Sequence, residues 1–167
     1  MGVKVIRLFL LTFLSNMALA SPPSFEDYPS SHTQALETLE HVDLSSHPDA
    51  PYFKTRLTYL IGESANFAGH YVLTSWGCGS SCQQVATVDV NDGKVYFLTD
   101  SSNGVCASPY SDLLVENPIP AAFLEDGEES LPSWLETRYY QWSKGELTLL
   151  YSSGEATNHL PLSDCDL

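Results

Sequence analysis

Apolar and polar positions change their period along the chain, and each change predicts an element. From Thr33 to Val42 the apolar residues Ala35, Leu36, Leu39 and Val42 keep to one helical face. Ser31 or Thr33 supplies the cap of this expected helix, and Ser45-Ser46-His47-Pro48-Asp49 ends it. From Tyr52 the period falls to two. Phe53, Thr55, Leu57, Tyr59 and Ile61 alternate with Lys54, Arg56, Thr58 and Leu60, the pattern of a half-buried strand. Gly69 to Trp76 and Gln83 to Val90 read as further strands. Asn91-Asp92-Gly93 turns the second of these into Lys94 to Thr99. A short strand is expected over Leu113 to Val115, before Pro118. A last hairpin is expected from Glu136 to Trp142 and from Glu146 to Ser152, through Lys144-Gly145. No strand–helix alternation and no internal repeat appears. The predicted fold class is α+β and mostly β: an antiparallel sheet of about six to seven strands with one N-terminal helix, stapled by disulfides.

The ends of the chain read differently from its middle. Lys4 and Arg7 precede an apolar run, Leu8 to Leu14, and Ala18-Leu19-Ala20 has the form of an export cleavage site. Residues 1–20 are thus expected to be a signal peptide removed after Ala20. The run is too short to span a bilayer, and no later segment is apolar enough to do so. Residues 21–31 hold three prolines and four serines and read as an extended leader, with residues 32–167 as a single globular domain. Pro118 to Pro132 is an acidic stretch bounded by prolines, expected to be a loop.

Charge narrows the choice of partners. The whole chain has 7 basic and 21 acidic residues, a formal charge of −14. Loss of Lys4 and Arg7 with the signal takes it to about −16. Such a surface repels nucleic acid and anionic lipid and attracts cations and basic proteins.

Four cysteines in an exported chain suggest two disulfides, with three possible connectivities. Cys78–Cys82 with Cys106–Cys165 is the preferred set, and Cys82 with Cys106 is the next to consider. Cys78 and Cys82 are separated by three residues, where a thioredoxin-type redox motif has two. Gln83 stands where haem attachment needs histidine, and no second close pair of metal ligands exists, so no cofactor or metal is expected. Small residues around a closed loop hold its backbone near the surface, which makes a rigid contact site. Trp76, Gly77, Gly79, Ser80 and Ser81 are therefore the candidate binding residues. His70, at the start of a strand, is the candidate general base if the chain is an enzyme.

Asn66-Phe67-Ala68-Gly69-His70-Tyr71, Trp76-Gly77-Cys78-Gly79 and Cys82-Gln83 together resemble an uncharacterised family of exported bacterial proteins. The Asp89 to Val95 hairpin and Thr137-Arg138-Tyr139-Tyr140, with Trp142, also look like that family. The likeness runs roughly from Gly62 to Tyr151. It implies a periplasmic or secreted location and no particular reaction. In outline alone, the Cys-closed loop is also similar to that of periplasmic lysozyme inhibitors. It lacks the central histidine and basic residue that the inhibitors present. The expected function is an exported, non-enzymatic binding domain presenting the disulfide-closed loop to a cationic protein or an envelope component. The alternatives are a periplasmic hydrolase using His70 and a lysozyme-inhibitor-like protein.

Overall fold

Alternating apolar residues need two packed surfaces, and here the strands divide between two antiparallel sheets. In a computed structural model, which describes residues 22–31, 37–119 and 135–153, sheet A has the order β1 (Tyr71–Gly79), β2 (Cys82–Asp89), β3 (Val95–Ser101). Sheet B has the order β4 (Val105–Ala107), β5 (Leu113–Glu116), β6 (Arg138–Ser143), β7 (Glu146–Ser152). Six of the expected antiparallel strands are present, but in two sheets of three and four strands rather than one. β4 was not foreseen: three residues beside a glycine carry too little alternation to mark a strand.

The period-two residues separate onto opposite faces, as pleating requires. One face of sheet A sends Val72, Trp76, Ala86, Val88 and Val95 into a core with Leu39, Ala50 and Leu57. Its other face sends Tyr71, Leu73, Tyr96 and Leu98 against Leu114, Trp142 and Leu147 of sheet B. The outer face of sheet B holds Leu113, Val115 and Tyr139, covered by Phe25 and Tyr28 of the segment 22–31. Between the sheets the buried Glu116 accepts from Tyr140 Oη at 3.0 Å and Thr99 Oγ1 at 3.4 Å, with Arg138 Nη1 3.5 Å away. Partners on both sheets satisfy a carboxylate that would be costly to bury alone.

Two expected elements are corrected. The stretch expected to be a strand from Tyr52 is a 3-10 turn, Ala50–Phe53, running into α1, Lys54–Thr58. Pro51 lies in its first turn, where a missing N–H costs nothing. Phe53, Leu57 and Leu60 fall at i, i+4 and i+7 and turn inward, with Leu57 fully buried. Tyr59 and Ile61, which alternation would place inside, are 78% and 47% exposed. The helix expected over Thr33 to Val42 is also absent from its described part. There the chain is extended: Leu39 N–H donates to Glu63 O, Gly62 N–H to Leu39 O and Ala65 N–H to Glu37 O, all within 2.9 Å. Pairing with residues 62–65 satisfies backbone groups that a helix would have bonded internally. The expected signal peptide, the acidic residues 120–134 and Cys165 lie outside the described residues. Among the described residues, no helix is long and apolar enough to cross a membrane.

Candidate functional site

The hairpin of β1 and β2 ends in a two-residue turn, Ser80-Ser81, between the paired Gly79 and Cys82. Register shifts between Gly77 and Gly79, so Cys78 is the extra residue of a bulge. The bulge moves Cys78 out of the alternation and alongside Cys82, with Cα atoms 5.2 Å apart, and the two form a disulfide. Gly77 to Ser81 are all exposed. The preferred Cys78–Cys82 pairing is therefore present. Cys106 is disulfide-bonded too, and its expected partner Cys165 lies outside the described residues.

Trp76, one residue before this tip, turns the other way. It is 7% exposed, with Phe53 at 5.0 Å and Phe97 edge-on at 6.2 Å between ring centroids. It anchors α1 to sheet A, and only its rim reaches the surface. That rim borders a groove of about 310 Å³ lined by Tyr52, Phe53, Thr55 and Arg56 from the helical segment and by Trp76, Gly77 and Cys78 from β1. Tyr52 stands 84% exposed at its mouth, and no carboxylate lines it. The sequence reading missed Tyr52 and Arg56. The signal for them was the helical spacing of Phe53, Leu57 and Leu60 behind Pro51, which turns both outward.

His70 lies at the opposite end of β1, away from the tip. Its block, Asn66 to Tyr71, is a tight turn: Tyr71 N–H donates to Phe67 O at 3.0 Å, and Phe67 N–H donates back to Tyr71 O at 3.1 Å. Ala68 and Gly69, with φ of 46° and 82°, make the left-handed corner that glycine adopts without strain. Their N–H groups dock on Ser108 O and Pro109 O. The Asn66 carboxamide then takes Leu73 N–H at 2.7 Å and gives to Leu73 O at 3.1 Å, closing the edge of β1. The most distinctive motif of the sequence is thus largely an edge-sealing device.

Around His70 the structure does gather polar groups. His70, Tyr71, Asp112, Ser143 and Lys144 share a cavity of about 320 Å³ with Trp142. His70 Nε2 is 3.6 Å from Asp89 Oδ2, at ion-pair rather than hydrogen-bond distance. The other oxygen of Asp89 accepts from Asn91 N–H and from its carboxamide at 2.9 and 2.8 Å, holding the hairpin turn. Burial, reinforced by the nearby Asp89 charge, pushes the Tyr71 phenol up to about 12. Tyr71 is therefore a neutral hydrogen-bonding group at neutral pH. Among the described residues, no three His, Cys, Asp or Glu side chains converge as metal ligands. His70 and the tip residues are thus separate places, joined only by the length of β1. No protein-family model, curated protein or solved structure matches this chain.

Proposed function

We propose that this chain is an exported, non-enzymatic interaction domain whose contact surface is the Cys78–Cys82 hairpin tip with the groove beside it. The observation that carries this reading is the tip itself. Five consecutive exposed residues are held by a disulfide and a bulge at the turn of the β1–β2 hairpin. Such a tip loses little conformational freedom on binding. The surrounding negative charge favours approach by a cationic protein through long-range attraction.

A photo-crosslinking residue placed at Ser80 in the exporting cell tests the reading. The expected result is one discrete crosslinked partner, lost when Cys78 and Cys82 are both replaced by serine. The same probe at Leu149, exposed on β7 of sheet B, should capture nothing. Equal capture from both positions, or none from Ser80, overturns the proposal.

A hydrolase centred on His70 is the second reading, favoured by the cavity that His70 shares with Lys144 and Ser143. Asp89 weakens it, because its Oδ2 oxygen lies 3.6 Å from His70 Nε2, beyond hydrogen-bond reach. Hydrolysis of chromogenic esters that disappears in His70→Ala, with the Ser80 crosslink unchanged, would favour the hydrolase.

A further inference from the structure

Main-chain groups of successive strand residues point alternately to the two sides of the strand. β1 is an edge strand of sheet A. Val90 N–H bonds His70 O on the inner side, so even-numbered residues of β1 face β2 and odd-numbered ones face outward. The outward groups of Tyr71 are taken by Phe67 and Asn66, and those of Leu73 by the Asn66 side chain. There the covering segment leaves, because Ala65 N–H turns away to Glu37 O. Ser75 and Gly77, both exposed, are the next outward pair, and no main-chain partner among the described residues takes them up. A Cβ built on Gly77 meets nothing within 4 Å. Two positions of sheet edge thus remain open, and the second, Gly77, lines the groove of Tyr52, Phe53 and Arg56.

We infer that the edge at Ser75 and Gly77 receives a short extended segment of a partner protein as an added β-strand, with an apolar side chain and then a carboxylate, two residues apart, in the adjoining groove. The inference rests on the interaction-domain reading and names what the partner presents. Strand addition takes its affinity from main-chain bonds and its specificity from pockets for alternate side chains. Phe53 and the rim of Trp76 supply the apolar wall, and Tyr52 covers it. The charge preference comes from α1. Arg56 and Lys54 are exposed there, and neither makes an ion pair among the described residues. Two of the other described cations are engaged, Lys94 with Asp92 and Arg138 with Glu136, and Lys144 lies at the separate His70 cavity. The surface is therefore negative as a whole and locally positive at the groove. A partner drawn in by the first still meets the second with a carboxylate. The Asn66–Phe67 segment is an internal precedent, since it already pairs with this edge two positions upstream.

The test is amide NMR of the full exported chain titrated with a capped pentapeptide, acetyl-TVTET-amide, in which valine and glutamate share one face. Its lysine analogue, acetyl-TVTKT-amide, and a form N-methylated at the central threonine and the glutamate amides, which removes a donor to the edge in either strand direction, serve as controls. Saturable shifts at Ser75, Gly77 and Arg56 are expected for the first peptide, at least roughly tenfold weaker for either control or for Arg56→Glu. Arg56 is exposed and makes no ion pair among the described residues, so that variant keeps the fold. No shift with the glutamate peptide overturns the inference, as does equal binding of the lysine or N-methylated form. Shifts confined to Ser80 and Ser81 also overturn it, while leaving the tip as contact surface. Concentration-dependent shifts at Ser75 and Gly77 without peptide would make the occupant a second copy of the chain and overturn it too. The Ser80 crosslink reports the tip independently of all these outcomes.

Discussion

Asn66 supplies the edge of β1 with a donor and an acceptor from its side chain, bonding both main-chain groups of Leu73. Asn66→Ala removes two hydrogen bonds at one site and should cost about 1–3 kcal/mol. Asn66→Asp keeps the acceptor but sets a carboxylate oxygen against Leu73 O, so it should not restore the loss. Urea unfolding of the three proteins checks this. Gly93 is a second position where the backbone decides. Its φ is +71°, and a Cβ would lie 2.9 Å from both the ring and the carbonyl oxygen of His41. Gly93→Ala therefore meets strain and collision together and should destabilise by more than the ~1 kcal/mol usual for glycine replacements. Tyr71 carries a prediction at high pH. With its pKa raised to about 12, the neutral phenol is favoured in the folded chain. Its contribution to stability is full below the ordinary tyrosine value near 10 and is lost as pH rises toward 12. Absorbance titration should show one phenolate appearing last, and Tyr71→Phe should remove that step.

At the scale of elements, α1 shows where periodicity misleads. Between Phe53 and Ile61 the apolar residues satisfy both a period of two and a spacing of i, i+4, i+7, and the chain adopts the second. Leu57 is inside under either pattern, so Tyr59 separates them. Leu57→Ala should cost about 2–5 kcal/mol, and Tyr59→Ala should stay within about 0.5 kcal/mol. Thermal unfolding of the pair tests the helical assignment directly, because a strand would bury both. Most strands were legible, since each of β1, β2, β3, β5, β6 and β7 carries its own alternation and turn residues. The division into two sheets was not legible, because it depends on contacts such as Tyr71 with Trp142 that leave no local trace. The disulfide tip was legible from spacing and glycines alone. The groove beside it was hidden by the misread helix. The hairpin disulfide closes only five residues, so the chain-entropy model assigns it about 2 kcal/mol. Reducing it should disturb the tip more than the whole.

Across the molecule, several carboxyl groups are tied into local hydrogen bonds that hold them ionised. Bonds from Ser45 lower Asp43, and the Lys94 ammonium lowers Asp92. The Ser152 hydroxyl and the Arg138 guanidinium lower Glu136. A lowered folded value stabilises the chain above the ordinary carboxylate range near pH 4, and that contribution is lost as pH falls through the folded values. Stability should therefore be nearly flat from neutrality down to about pH 5 and fall below it. Glu136→Gln should lessen the fall, as thermal midpoints between neutral and acid pH will show. The acidic character is thus built partly from carboxylates that each have a local donor.

The half-covered edge of β1 also has a consequence in time. An amide hydrogen exchanges with solvent only when its bond opens, so the edge should show a step within a single strand. Leu73 N–H, held by Asn66, should exchange slowly, and Ser75 and Gly77 N–H should exchange almost as fast as in an unstructured peptide. The rate at Leu73 then measures how often the Asn66 turn lets go, and the rates two and four residues later provide a clock that runs without it.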